Sequence, residues 1–456
     1  MSENAAPATG LEQQADAEIP RKRVMAWALW DWGTQPLNTV LITFVFAASY
    51  LTGADFVDPA VAELGPGHPA YDRALAQLAS NYGYAGFIAG IAVLLLAPVI
   101  GQRADATGRR KWWLGWTTLV LVLLQFGLFF VYADPRYFWL GAILIGLMQV
   151  VQDIAGVNYN AMLVSVSTPR TVGKVSGLGW GMGYVGGIVA LGVVILANSF
   201  DFWGMPTDDG LGYRVIAVFC AVWTVIFALP LFLHVPEARP TRERAPGGFL
   251  RSYAIVARDI AGLWREARPT FWFLVASAIY RDGLTGVFTY GAIIAAQSFL
   301  FPETTVQAFG LAALFVAGAA AFAAGFLDDR FGSRLVVVVS LTGMVVAGVV
   351  VVALHSLGPA VFWIAGLFLC LFVGPAQASS RSFLARVTPA GRESEVFGLY
   401  ATTGRAASFM TPLLWGIVLQ VTGAAIWGTL AVLFVVLVGL AMLALVREPS
   451  HARARA

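Results

Sequence analysis

The sequence predicts an all-helical integral membrane protein with twelve transmembrane helices in two six-helix, pseudo-symmetric halves. Three observations carry this reading: an apolar composition, a ladder of long oily runs, and a polar motif that occurs twice. The chain has 456 residues, 58% of them hydrophobic and only 12% charged. A soluble protein of this length carries about twice that charge. The apolar runs are long and unbroken rather than alternating, which fits membrane helices of roughly 20 residues each and not a barrel.

The elements follow in order. The first stretch, "MSENAAPATGLEQQADAEIP", is polar and starts without the basic-then-apolar order of a signal peptide. Residues 1–24 are expected to form a cytoplasmic tail. Apolar segments then fall near 25–52, 80–101, 112–132, 137–166, 175–199 and 212–234, giving an N-terminal half over 25–234. A second set falls near 269–299, 305–326, 335–356, 359–386, 396–421 and 425–446, giving a C-terminal half over 269–446. Residues 235–268 link the halves, and 447–456 form a second tail. Within the linker, Phe249, Tyr253, Val256, Ile260 and Leu263 recur at helical spacing among Arg251, Arg258 and Arg265. That pattern predicts a helix lying on the membrane surface, with a solvated linker as the alternative.

Charge sets the orientation. With the N-terminus cytoplasmic, 23 Lys and Arg residues fall on the inner side and 3 on the outer side. By the positive-inside rule both termini are cytoplasmic, and the expected location is the cytoplasmic membrane. Cys220 and Cys370 lie inside apolar runs, and four scattered histidines form no cluster, so neither a disulfide framework nor a metal site is expected. No cofactor or nucleic-acid partner is indicated. The expected partners are a small-molecule substrate, protons and membrane lipids, with the chain a monomer. Tryptophans near span ends, such as Trp112, Trp113 and Trp116, fit an interfacial belt better than a substrate cage.

The repeated motif is "GQRADATGRRK" after the second run, with its copy "GFLDDRFGSR" after the eighth. Gly101, Asp105 and Gly108 match Gly325, Asp329 and Gly332 at one offset of 224 residues. Arg109, Arg110, Arg330 and Arg334 accompany them. Gly177 and Gly183 pair with Gly398 and Gly404 at an offset of 221. Two repeated six-helix halves mark a transporter with its site between them near the midplane. A simple basic anchor explains the arginines but not the aspartate or the glycine spacing. Asp105 is therefore expected to cap the start of span 11, and Asp329 the start of span 5, where free N–H groups and a partial positive charge await a carboxylate.

These two motif copies, the six-plus-six split and the internal termini resemble the major facilitator superfamily, over about 430 residues. A finer resemblance, carried by "WALWDWGTQPLNTVLITFVF" and "GPAQASSRSFLARVTPAGRESEVFGLYATTGRAASFMTPLLWG", is to the branch related to the vacuolar amino-acid effluxers of yeast autophagy. It implies the major facilitator fold, spans 1, 4, 7 and 10 lining a cavity, and transport without a particular cargo. Span 5 lacks the Gly-Pro pair of many drug antiporters.

Polar side chains within spans each need a reason, since an ionisable one costs about 2.5–3.5 kcal/mol at the bilayer centre. Span 1 sets Asp31, Gln35 and Asn38 on one face, with Trp27 a turn below and Pro36 positioned to kink the helix. Span 4 carries Gln149, Gln152, Asp153 and Asn160. Span 7 carries Arg281 and Asp282, span 10 carries Gln377 and Arg381, and span 11 carries Arg405. Depth puts Asp282, Arg405 and Asp153 near the midplane, Asp31 shallower, and Arg381 by the inner gate. The competing reading is charges that pair only to fix helix packing. Span 5's glycines read as close packing.

No Walker loop, paired histidines or serine elbow is present, which argues against ATP drive and against an enzyme. The expected function is proton-coupled secondary transport of a small solute by alternating access, such as an amino-acid or related metabolite exporter, with the direction left open by the sequence. The alternatives are a drug efflux antiporter and a transporter-like sensor that carries nothing.

Overall fold

The computed structural model describes residues 11–14, 18–65, 68–200, 208–237, 249–301, 303–422 and 424–446. The expected tail at 447–456 and parts of the first tail lie outside the described residues. So does the side chain of Asp105.

Every described span is helical, and the described residues contain no strand. Among the described residues, nine helices are long and apolar enough to cross a membrane. The three remaining segments, spans 1, 7 and 11, are those in which polar residues or breaks interrupt the apolar pattern.

Span 1 runs as an α-helix over Arg21–Pro36, then continues in wider π-helical turns over Leu37–Phe44 and Phe46–Leu51. Helix therefore starts inside the expected tail. The change of pitch follows from Pro36, which has no N–H to give the carbonyl four residues earlier. That carbonyl, on Trp32, accepts instead from Trp223 Nε1 at 3.2 Å, and the next, on Gly33, accepts from Thr224 Oγ1 at 2.9 Å. Span 6, Leu211–His234, thus replaces the bonds that the proline removed.

Span 2 covers Pro69–Thr107 and span 8 covers Glu303–Phe331. Both overrun the apolar limits read from the sequence. Hydropathy sees only the oily part of a helix, and these helices carry polar ends beyond it. The motif copies are accordingly last turns of helices, not loops. Only Gly108 and Arg109 separate span 2 from span 3, Arg110–Gly127. Only Gly332 separates span 8 from span 9, Ser333–Ala353. Gly108 and Gly332 have φ of 65° and 89°, a region that side chains avoid, so glycine is required at both reversals.

Span 4 is Phe138–Ala161 and span 5 is Val172–Ser199. A linker helix, Phe249–Glu266, precedes span 7, Arg268–Ser298. It packs on spans 2 and 7, burying Leu263, while Tyr253, Ile260 and Trp264 stay exposed. Span 10 is broken, its part toward the basic face being Val373–Val387. Span 11 is broken into Glu393–Ala407 and Met410–Thr422, just ahead of Pro412. Span 12 is Ala425–Leu445.

The halves meet along two lines, span 2 against span 11 and span 5 against span 8. On these four helices, the glycines toward the basic face are packed tight. Those toward the opposite face, Gly86, Gly90, Gly192, Gly310 and Gly416, have nothing among the described residues within 4 Å of where a side chain would start. Gly90 and Gly101 lie about 20° apart around span 2, so one helix face is packed at one end and open at the other. Among the described residues, the bundle is closed at its basic face and more open at the opposite one.

Candidate functional site

The closed end is built from backbone contacts that only glycine permits. At Gly177 a Cβ would sit 2.9 Å from Gly325 Cα, and at Gly325 it would sit 2.9 Å from the Gly173 carbonyl oxygen. In the other crossing, Gly101 packs on the Ser394 carbonyl, and a Cβ at Gly398 would meet the Ala97 carbonyl oxygen at 2.8 Å. Gly177 faces the carbonyl of Ala321, the counterpart of Ala97 at the same 224-residue offset. The internal repeat is thus a repeat of contacts.

The described ion pairs around the two crossings differ. At span 5, Asp329 Oδ1 accepts from the Gly173 N–H at 2.7 Å and Oδ2 from the Lys174 N–H at 2.9 Å. Its carboxylate sits on the start of that helix, where donors are free. Behind it, Arg386 reaches Asp328 at 2.6 Å and Asp329 at 3.3 Å. Asp328 is buried and also accepts from Ser333 Oγ at 2.9 Å and Ser382 Oγ at 2.5 Å. At span 11, buried Arg110 pairs with Glu393, the first residue of that helix, and Arg392 pairs with Glu395 at 2.6 Å. Arg109 and Arg330 are exposed, so the consecutive arginines of the first motif split between solvent and core.

Arg381 crosses between the halves from span 10. Its Nε donates to Ser176 Oγ at 3.0 Å, Nη1 to Asn160 Oδ1 at 2.9 Å, and Nη2 to the Ser176 carbonyl at 2.6 Å. It is buried against the rings of Trp27, Trp180 and Tyr159.

Farther in, Arg405 Nε donates to Asp153 Oδ2 at 3.0 Å, and Nη2 reaches the same oxygen. The pair joins span 11 to span 4 and keeps 41% and 29% of its side-chain surfaces exposed. Beside it, Arg281 donates to the Tyr400 carbonyl at 2.9 Å and lies 3.8 Å from that ring's centre. Gln152 Oε1 and Thr402 Oγ1, on the same two helices as the pair, are buried without a hydrogen-bond partner among the described residues.

The remaining predicted residues separate. Asp282 does not join the exposed pair. It is buried, and its Oδ2 accepts from the N–H and Oγ1 of Thr411 at 2.6 and 2.7 Å. It caps the second piece of span 11, an orphan helix start that Pro412 creates. Asn38 donates to Gln35 at 2.9 Å, and Tyr184 donates to Gln377 at 3.4 Å. Gln149 is half-buried on span 4. Asp31 lies against Gly183 of span 5 and makes no hydrogen bond or ion pair among the described residues. Sequence reasoning passed over Asp328, Arg386, Glu393, Arg392 and Glu395. Their signal was charge density at helix ends, which basic-face anchoring also explains.

Two six-helix halves with crossing glycines and polar groups between them define a membrane transporter of the major facilitator class. Solved structures agree on the fold. The chain is similar to an outward-state crystal structure of the transporter FucP, with TM-score 0.67, 14% identity, and 94% and 99% of the two chains covered. It is similar to the human organic anion transporter MFSD10 (TETRAN), with TM-score 0.69, 16% identity, and 93% and 99% covered. By its sequence the chain belongs to the family described as vacuole effluxer Atg22 like, whose family model matches residues 165–456. It is 27% identical over 440 residues to the uncharacterized MFS-type transporter YxiO of Bacillus subtilis, covering 94% of this chain and 95% of that one. Autophagy-related protein 22 of Cryptococcus neoformans is 23% identical over 296 residues, which is 60% of this chain and 52% of that one.

Proposed function

We propose that this chain is a proton-coupled secondary transporter that moves an amino acid or related small metabolite out of the cytoplasm. Its basic face is the cytoplasmic one, and its two halves rock about a central site. The observation that carries the reading is the Asp153–Arg405 pair. It bridges the halves, lies deep in both helices, and is half-open to the space between them. A charge pair retained there needs a use, because it could be replaced by apolar packing. The vacuole-effluxer family supports efflux as the direction. Nothing in the reading requires enzymatic chemistry.

Asp31 is the proposed proton carrier. Among the three intramembrane acids considered, Asp282 is committed to Thr411 and Asp153 to Arg405. Asp31 can take up or lose a proton without breaking a bond. The crossings at the basic face are the proposed gate, with Asp105 acting on span 11 as Asp329 acts on span 5. If Asp105→Asn leaves basic-face accessibility of engineered cysteines unchanged, that part is wrong.

The test is flux in proteoliposomes under an imposed pH gradient, with the twenty common amino acids supplied in turn. Movement of at least one, reduced in Asp31→Asn while exchange persists, supports the reading. No movement of any amino acid sinks it.

A further inference from the structure

Arg381 occupies a compartment that it does not build. Trp27 stacks on Tyr159 at 4.5 Å between ring centres, and its Nε1 donates to the Tyr159 carbonyl at 3.1 Å. Trp30 stacks on the same tyrosine at 4.5 Å and donates to Thr118 Oγ1 at 3.0 Å. Gly179 supplies the floor, where a Cβ would lie 2.8 Å from both the Trp27 ring and Arg381 Nη2. Every one of these groups belongs to the N-terminal half. Arg381 comes from the C-terminal half, as does the Ala378 carbonyl that accepts from Ser176 Oγ at 2.7 Å, and the three hydrogen bonds of Arg381 all go to the N-terminal half.

The compartment suits a guanidinium in particular. Three aromatic rings surround the Arg381 Cζ at 5.2 Å (Trp27), 5.7 Å (Trp180) and 5.9 Å (Tyr159). Ring faces attract a cation most when water is excluded. Ser176 and Asn160 offer three acceptors to three different nitrogens, matching a planar fork rather than a point charge. All three acceptors are neutral, and no carboxylate lies within ion-pair distance of Arg381 among the described residues. Asp31, on the N-terminal half, acts on the cation through space rather than through a bond, so it stays behind as the compartment's counter-charge when Arg381 leaves.

We infer that this aromatic compartment is a guanidinium-binding site in its own right, filled by Arg381 as a tethered ligand while the basic face is closed. When the halves part at that face, span 10 withdraws Arg381. The compartment keeps its shape, because Trp27, Tyr159 and Trp30 hold one another within one half. A free guanidinium compound from that side then takes the vacancy and holds the carrier open. The inference rests on the alternating-access reading, but the binding test does not need transport.

The test uses the full chain with methylguanidinium as the probe and methylammonium as its control. In Arg381→Ala the site is vacant, so methylguanidinium should raise the melting temperature saturably. Methylammonium should need about tenfold higher concentration, since it lacks the fork. Adding Trp27→Ala should abolish the response. The second readout is the spin-label distance between cysteines at Arg170 and Arg330, exposed on opposite halves at the basic face, with Cys220 and Cys370 changed to alanine. Saturating methylguanidinium should lengthen this distance in the chain that retains Arg381, because a free ligand competes without tethering the halves. Absence of saturable binding, equal response to both probes, or no change in distance overturns the inference. If Arg381→Ala does not fold, the distance in the Arg381 chain decides alone. Flux that persists alongside a negative result would leave the transporter reading standing and remove only this one.

Discussion

The two crossings at the basic face share their packing, and the ion pairs among their described side chains differ. Span 2 on span 11 and span 5 on span 8 use the same glycines against the same carbonyls, two residue sets related by the internal repeat. Yet the first is reinforced by the buried Arg110–Glu393 pair, and the second by Asp329 on bare N–H groups with Arg386 behind it. Backbone approach was kept in both copies because nothing but glycine fits. Close backbone approach is thus the device common to both crossings, and the described ion pairs around it differ.

The largest expected effect comes from Arg110→Gln. It leaves Glu393 buried without its partner, a loss of about 3–5 kcal/mol for a broken buried pair. A fall in melting temperature with increased basic-face accessibility is the expected result, and an unchanged melting point would deny the pair its role. Next are Gly177→Val and Gly398→Val. Each drives a side chain into a backbone carbonyl that cannot move aside, at about 1–3 kcal/mol. The two should match within error if the crossings are equivalent in packing, and a clear inequality would break the comparison. Asp329→Asn is milder, at about 1 kcal/mol, because the amide oxygen still accepts while the charge on the helix start is lost. Arg386 also keeps Asp328. Smallest in stability is Asp153→Asn. Its pair is exposed enough that about 0.2–1 kcal/mol is expected. Proton-driven flux should nevertheless fall, and intact flux would remove the pair from the transport site.

Much of the fold was legible because apolar runs and a repeated motif are strong, additive signals. Span limits were less so, since polar helix ends continue past the oily part, as Thr107 and Phe331 do. Within the site, Asp153 and Arg405 stood out as intramembrane charges, but their pairing depends on how spans 4 and 11 face each other. Asp282 stood out equally and turned out to be a cap for Thr411. Pro412 was the available sign, since it predicts a helix break and hence an orphan start in need of an acceptor. The compartment around Arg381 gathers residues from spans 1, 4 and 5, and no spacing along the chain announces it.

The central claim is that the basic-face crossings hold one end of the bundle shut while the other stands open. Two spin-label distances on the full chain in lipid test it most directly. One joins Arg170 to Arg330 at the basic face, and the other joins Asn198 to Ser356 at the opposite face, each measured with and without Arg110→Gln. The account predicts that the substitution lengthens the first distance and shortens the second. Lengthening of both together, or of neither, would contradict it.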